Sequence, residues 1–148
     1  SSAFDGEGVA TVDSDLVRGG VLARYILGSY SARKLGLEST GNAGGIHNLA
    51  VRANAGDFAD LLRQLGTGFL VTELMGQGVN TVTGDYSRGA AGFWVENGVI
   101  AYPVDEVTIA GNLREMFRRV VAVGSDVDRR GSILSGSILL ESMMVAGE

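Results

Sequence analysis

Few residues in this sequence could carry hydrolytic or metal chemistry. The chain contains one histidine, His47, and no cysteine. A zinc site built on His47 would need carboxylates as its other ligands, which is an uncommon set because zinc in proteins is bound mainly by cysteine and histidine. A Ser-His-Asp triad would also have to use His47 as its base, and no serine stands in the Gly-x-Ser-x-Gly pattern of an exposed nucleophile. The sequence therefore predicts no catalytic residue and no metal ligand.

An acidic segment near the C-terminus resembles the start of a calcium-binding loop. It reads Asp126-Val127-Asp128, which matches the first and third ligand positions of an EF-hand. The fifth position is Arg130 and the twelfth is Ser137, where the loop requires a glutamate. The pattern favours a solvated, salt-bridged loop over a calcium site. The glycine-rich stretches at 40–45 and 66–68 match neither of two phosphate-binding motifs, GxxxxGK(S/T) and GxGxxG.

Composition and charge limit the class of protein. The 148 residues carry a formal net charge of −5, and 45% of them are hydrophobic. Nucleic-acid-binding domains usually present a basic surface, so no nucleic-acid partner is predicted. The sequence contains no apolar run long enough to cross a membrane, and the lack of cysteine points to the cytoplasm. The length fits a single domain over residues 1–148.

The elements that would position any site follow from hydrophobic periodicity and turn signals. Three short helices are predicted: one at 29–35 ending at Gly36, one beginning at the cap Asp57, and one beginning at Asn112 with Glu115 completing a capping box. Strands are predicted at 69–73, 79–86, 90–96, 99–109, 120–123 and 137–145, with Asn97-Gly98 as a hairpin turn and Pro103 at an edge or a bend. The expected fold is α+β: a mainly antiparallel sheet, sandwich- or barrel-like, with two or three short packed helices.

Several of these stretches resemble one protein family. The segments FDGEGVAT, SYSARKLGL, TGNAGGIHNL, GFLVTELMGQGVNTVTGDYSRGAAGFWVENGVIAYPVDEVTIAGNL and SILLESMMVAG are together similar to the C-terminal domain of the PmbA (TldE) branch of the TldD/PmbA metallopeptidases, historically called modulators of DNA gyrase. The resemblance covers nearly all of residues 3–147. Members of the family are much longer, so the resemblance implies a piece of a larger protein that lacks its N-terminal region. The start at Ser1 without a methionine fits this expectation.

The resemblance also implies which subunit this is. In the catalytic TldD branch, the metal is bound by an HExxxH motif in the N-terminal region and by a cysteine on a C-terminal loop. In this sequence, residues 126–136 occupy the place of that loop and contain no cysteine. The implied function is therefore the C-terminal domain of a non-catalytic subunit of a cytosolic metallopeptidase complex. Zinc or a similar metal would then be bound only by a TldD-type partner, and this chain would be inactive alone.

Four polar residues stand out within the block most characteristic of the family. Glu73, Asn80, Asp85 and Arg88 lie in an otherwise apolar, glycine-rich β region. One hypothesis places them on a subunit interface or on the wall of a proteolytic chamber, with close backbone approach explaining the nearby glycines. The other hypothesis is an ion pair between Asp85 and Arg88 that holds a hairpin. Both stay open from sequence alone.

Partners are expected to be a TldD-like subunit or a second copy of the chain, together with the peptide substrate of the complex. An alternative function is a protein-binding module that modulates another protein such as DNA gyrase. The sequence identifies no site for that role, although an acidic protein can engage the basic surface of a DNA enzyme.

Overall fold

The computed structural model describes residues 2–147, and within that range it contains three helices and ten strands. The helices are α1 (Ser29–Leu35), α2 (Phe58–Leu65) and α3 (Leu113–Arg118). The strands are β1 (Val17–Arg18), β2 (Val21–Leu22), β3 (Leu49–Ala50), β4 (Gly68–Met75), β5 (Asp85–Glu96), β6 (Val99–Asn112), β7 (Val120–Val123), β8 (Ile133–Leu134), β9 (Ile138–Leu140) and β10 (Met144–Ala146).

The predicted α+β class is confirmed. The largest sheet has four strands in the order β10-β6-β5-β4, and each neighbouring pair in it is antiparallel. Two smaller antiparallel sheets pair β1 with β2 and β7 with β9. Over residues 2–147 the strands do not close into a barrel, because β4 and β10 each end the large sheet.

The chain groups into two compact units. The first comprises the chain up to Ala50 together with Arg130–Ile133, and the second comprises Val51–Arg129 together with the chain from Leu134 onward. Each unit has its own small core. In the first unit the buried apolar residues are Leu27 and Ala32, and in the second they are Leu61, Ala90, Val95, Ile109, Ala122 and Val123. The single domain expected over residues 1–148 stays a prediction.

The hairpin β5–β6 is the longest feature of the second unit, and the predicted turn forms it. Asn97 and Gly98 both have positive φ, at 53° and 75°, which is the backbone conformation a two-residue hairpin turn requires. Pro103 faces Phe93 on β5, while β10 pairs only with residues 108–110 of β6. Among residues 2–147, Pro103 therefore lies where one side of β6 has no partner strand, as its missing N–H requires.

Helix α2 begins at the predicted cap. The Asp57 carboxylate accepts the Asp60 N–H at 3.0 Å, and the Asp60 carboxylate accepts the Asp57 N–H at 3.1 Å, which makes a reciprocal cap. The helix buries Leu61, which is 5% exposed, and it ends at Gly66. Gly36 likewise ends α1 in the left-handed conformation, with φ of 67°.

Three predictions of local structure are wrong or incomplete. Residues 79–84 do not form a strand, because Val79 makes only an isolated bridge with Tyr86 and the backbone between them turns, so that the strand begins at Asp85 as β5. The predicted strand 137–145 is interrupted between β9 and β10, where the Glu141 N–H donates to the Arg119 carbonyl. At α3, Asn112 caps the Arg114 N–H at 3.1 Å, whereas the Glu115 side chain accepts from Arg118.

Candidate functional site

Asn80 lies in the connection between β4 and β5, and Asp85 and Arg88 lie at the start of β5. The first feature of this region is a turn built by Asn80. The Asn80 side-chain oxygen accepts the N–H groups of Val82 at 2.9 Å and Thr83 at 3.2 Å. Its backbone carbonyl accepts the Gly84 N–H at 2.8 Å, and its own N–H donates to the Asp85 carbonyl at 2.9 Å. Asparagine favours this arrangement because its short side chain can replace a backbone acceptor. Asn80 thus shapes the turn.

Asp85 is held by the same turn. One oxygen of its carboxylate accepts the Thr83 hydroxyl at 2.6 Å. The turn is joined to the start of α3, since the Asn112 side-chain amide donates to the Thr83 carbonyl at 3.1 Å and the Leu113 N–H donates to the Gly84 carbonyl at 2.7 Å. Asp85 and Asn80 are therefore close together and are fixed to β6 and α3.

Arg88 has a different partner from the one that the ion-pair hypothesis expects. Its guanidinium Nη2 donates to the Gly76 carbonyl at 2.5 Å, while the Asp85 carboxylate is bound by Thr83. The Nε–H of Arg88 is sealed from solvent and has no acceptor within residues 2–147. The structure thus places Arg88 across the connection from Gly76 and does not pair it with Asp85.

Glu73 lies apart from these three residues. It is exposed on β4 and faces Ala91 of β5, just after a register shift between Val71 and Glu73. The structure brings Asn80 and Asp85 into direct contact and connects Arg88 to the same β4–β5 segment, but among the described residues Glu73 makes no hydrogen bond or ion pair with them.

Glycines let two segments of this region approach closely. The Ser87 N–H donates to the Gly78 carbonyl at 2.7 Å, and a Cβ on Gly78 would lie 1.6 Å from the Ser87 carbonyl oxygen. Gly76 and Gly84 are needed for a second reason, since their φ angles are 76° and 82°. The β-branched residues between Gly78 and Gly84 suggested a strand, but the turn chemistry decides the local structure.

The acidic loop after β7 uses its carboxylate internally. Asp126 accepts the Ser137 hydroxyl at 2.6 Å and the Ser137 N–H at 3.1 Å. These hydrogen bonds, with the hydroxyl first, lower the pKa of Asp126 below its usual value. No group of three or more His, Cys, Asp and Glu side chains that could hold a metal ion occurs in residues 2–147.

An apolar cavity of about 600 Å³ lies within the second unit. Its walls come from α2, from β4, from residues of β5 and β6, and from the C-terminal strands. Tyr86, Trp94 and Ile109 line it from the sheet, and Met116 and Met143 line it from the other elements. Arg88 is the register partner of Ile109, so the two side chains project from the same face of the sheet. Because Ile109 lines the cavity, the cavity lies on the face from which Arg88 projects.

The sequence patterns do not single out Asp5, a carboxylate that the fold buries. Asp5, in the first unit, is 5% exposed and accepts the N–H groups of Ala43 at 2.8 Å, Glu7 at 2.9 Å and Val9 at 3.0 Å. The hydrogen bond from Ala43 is the largest cause that lowers the pKa of Asp5 below its usual 3.8. Asp-Gly-Glu-Gly at positions 5–8 was a turn signal for it. Asp5 therefore has a structural role, because it connects the turn at residues 5–9 to Ala43.

We expect Asp5→Asn to lower the unfolding midpoint of the chain at pH 7, because an amide NH2 group cannot accept a backbone N–H. The folded-state pKa is depressed, so the stabilisation by Asp5 is fully present above the unfolded-state pKa and is lost as the pH falls through the lower, folded-state value. Chemical denaturation between pH 7 and pH 2 is the measurement. The difference between wild type and variant should shrink toward the acid end, whereas a constant difference would contradict the assignment. Asp13→Asn, at an exposed position, is the matched control.

Comparison with known proteins gives a consistent set of relatives. A family model described as the PmbA/TldA metallopeptidase C-terminal domain matches residues 1–147. The chain is 57% identical over 148 residues to "Metalloprotease PmbA" of Escherichia coli O157:H7, with 100% of this chain and 33% of that protein covered. A "Metalloprotease PmbA homolog" of Haemophilus influenzae is also 57% identical, with 99% of this chain and 33% of the relative covered. The chain thus spans about a third of the length of these curated relatives.

Solved structures show the same fold. A protein named as a modulator of a DNA gyrase from Thermotoga maritima matches 99% of this chain and 36% of its own, with 39% identity and a TM-score of 0.91. TldE from Thermococcus kodakarensis matches 99% of this chain and 36% of its own, with 25% identity and a TM-score of 0.85. Among the helices of residues 2–147, none has the length and apolar character needed to span a membrane.

Proposed function

The chain belongs to the PmbA/TldA metallopeptidase family as a C-terminal domain, and we propose that it is the C-terminal domain of a non-catalytic subunit that associates with a TldD-like, metal-binding subunit. The observation that carries the proposal is the acidic loop after β7. The family resemblance implies a cysteine ligand there in catalytic members, whereas this chain has no cysteine and its Asp126 carboxylate is bound by Ser137. Zinc in the complex is accordingly assigned to the partner.

The surface of the second unit supports an association role. Large apolar side chains on it are well exposed, among them Phe117 at 74%, Met144 at 70% and Val99 at 67%. Large apolar side chains that are exposed in this way are candidates for surface that another chain or domain covers. A TldD-like subunit in the cytoplasm is the proposed partner, and a second copy of this chain is the alternative.

We expect the full-length subunit to form a complex of defined stoichiometry with a TldD-like subunit, and peptide cleavage to require both. Size-exclusion chromatography with light scattering measures the complex, and release of amino acids from a short peptide measures the cleavage. Cleavage by this subunit alone, in the presence of zinc, would exclude a non-catalytic role. Substitution of the metal-binding histidines of the partner is the control that assigns the activity.

The four candidate residues Glu73, Asn80, Asp85 and Arg88 are proposed to line the subunit interface or the wall of the proteolytic chamber. Support for Asn80, Asp85 and Arg88 comes from the turn before β5 and the start of β5, which hold their side chains in the unit that contains the apolar cavity. Glu73 is exposed on β4 of the same unit. We expect Arg88→Ala to weaken subunit association or peptide turnover about tenfold, since hydrogen bonds to charged groups contribute about 1.5–3 kcal/mol. Unchanged association and turnover in a folded variant would remove Arg88 from the proposal.

A second candidate function is suggested by the names of the solved relatives. Those from Thermotoga maritima and Bacteroides thetaiotaomicron are both named as modulators of DNA gyrase. A protein-binding module of that kind would bind gyrase even in the absence of a TldD-like subunit. Affinity capture with purified gyrase and the full-length subunit, with and without the partner, separates the two functions.

A further inference from the structure

The charge of Arg88 is not neutralised by an ion pair, in contrast to the charges of three other arginines in the described residues. Ion pairs with acidic residues three positions away bind Arg18, Arg63 and Arg118. Arg88 instead makes one hydrogen bond within residues 2–147, from Nη2 to the Gly76 carbonyl. A guanidinium has five N–H donors, so most of the donor capacity of Arg88 is unused.

The position of Arg88 makes this arrangement unfavourable for an isolated chain. The residue is half-buried, and its Nε–H is sealed from solvent without an acceptor in the described part of the chain. Buried donors in proteins are almost always hydrogen-bonded, and buried charges are paired. The remaining terminal nitrogen, Nη1, is not a sealed, unbonded atom in the described part of the chain, so a group from outside the chain can reach it.

Nearby acidic residues do not supply the missing acceptor. Asp85 is three positions away, but its carboxylate accepts the Thr83 hydroxyl. Glu73 is exposed on β4, two positions before the strand end at Met75. The acceptor for Arg88 is therefore expected from another polypeptide.

The surroundings of Arg88 indicate the chemistry of that acceptor. The planar fork of a guanidinium matches a carboxylate, and a single arginine in a chain of net charge −5 does not suit a polyanion. Arg88 is the register partner of Ile109, which is 5% exposed and lines the apolar cavity. A carboxylate that is adjacent to an apolar side chain fits both features.

We propose that Arg88 is a binding site for a carboxylate of another polypeptide, and that an apolar side chain beside this carboxylate packs at the cavity next to Ile109. The carboxylate belongs either to the C-terminus of a bound peptide or to an acidic side chain of the partner subunit. This inference rests on the proposed function, because the subunit complex brings both groups to this domain.

The first arm of the test uses two peptides, Ala-Ala-Ala-Leu with a free C-terminus and the same sequence as its amide. Each is titrated into the complex of full-length subunits. If the peptide supplies the carboxylate, the acid should bind about tenfold more tightly than the amide, as expected for a charge-assisted hydrogen bond. Arg88→Gln should abolish this preference, and Arg88→Lys should retain part of it because it keeps the charge without the fork.

The second arm measures the dissociation constant between the two subunits at several salt concentrations. If the partner supplies the carboxylate, Arg88→Gln should weaken association about tenfold and flatten its salt dependence. Arg114→Gln, which removes an exposed arginine at the start of α3, is the matched control. If Arg88→Gln does not fold, the acid–amide comparison on wild type and the Arg88→Lys variant decide both arms.

The proposal is overturned if the acid and the amide bind equally and Arg88 substitution leaves subunit association unchanged. Failure of the wild-type subunits to associate would contradict the proposed function instead. The binding of the acid and amide peptides would then be measured on the full-length subunit alone.

Discussion

Replacing Gly92 by alanine is expected to lower the free energy of unfolding by about 3 kcal/mol, at the upper end of the usual effect of overpacking. Gly92 is buried in β5, and a Cβ there would lie 1.9 Å from the Leu70 carbonyl oxygen and 3.1 Å from the Thr72 N. Both contacts are with the backbone of β4, so no side chain can rotate to relieve them. The pairing of β4 with β5 must separate locally or shift in register.

Thermal unfolding of the chain, followed by circular dichroism, measures this effect. A loss of that size corresponds to a fall in the midpoint of roughly 10 °C for a domain of this length. Gly131→Ala is the matched control, because the nearest atom to its Cβ, the Ile133 N, would be 3.9 Å away. Equal midpoints for Gly92→Ala and Gly131→Ala would show that β4 and β5 are not in the described register.

Gly78→Ala is expected to have the second large effect, about 2 kcal/mol, and to act on the candidate site itself. The added Cβ would lie 1.6 Å from the Ser87 carbonyl oxygen, so the hydrogen bond from the Ser87 N–H to the Gly78 carbonyl must break. Displacing this segment moves the Gly76 carbonyl that holds Arg88. We therefore expect weaker subunit association as well as lower stability.

Hydrogen exchange at the Ser87 amide reports the Gly78→Ala change directly, and it should become faster in the variant. Ser87→Ala is the control, because it removes an exposed hydroxyl and leaves the backbone carbonyl and N–H in place. If the Ser87 amide exchanges at the same rate in the Gly78→Ala variant and in wild type, the close approach of these two segments is wrong.

Elements that depend on local signals could be predicted from the sequence. Asp57 and Asp60 cap α2 through hydrogen bonds three residues apart, and the turn at Asn97-Gly98 needs two residues that tolerate positive φ. Their determinants lie within a few residues of one another. The same holds for Gly36 at the end of α1.

The sequence-based predictions fail where local signals compete with one another and where the partners of a residue lie far away in the sequence. Val79 and Val82 favour a strand, but the side chain of Asn80 accepts two N–H groups and turns the chain. Asp5 lies 38 positions from Ala43, and no local pattern reveals that hydrogen bond. Such pairings are set by the tertiary fold.

The candidate site was predictable in residue type and not in geometry. The polar residues of the β4–β5 connection stand out in an apolar context, yet their partners are not their sequence neighbours of opposite charge. Arg88 binds a carbonyl on the far side of the connection, and Asp85 binds a hydroxyl. Only the backbone path around Gly76 and Gly78 brings these groups together.

The central proposal is that this chain belongs to a non-catalytic subunit and that the metal is bound by a TldD-like partner. The metal content of the purified subunits tests this proposal most directly. The full-length subunit and a TldD-like subunit are purified separately and as a complex, and bound zinc is measured by mass spectrometry. We expect the metal to follow the TldD-like subunit, with none retained by this subunit alone after dialysis. A stoichiometric ion held by this subunit through His47, and lost in His47→Ala, would contradict that claim.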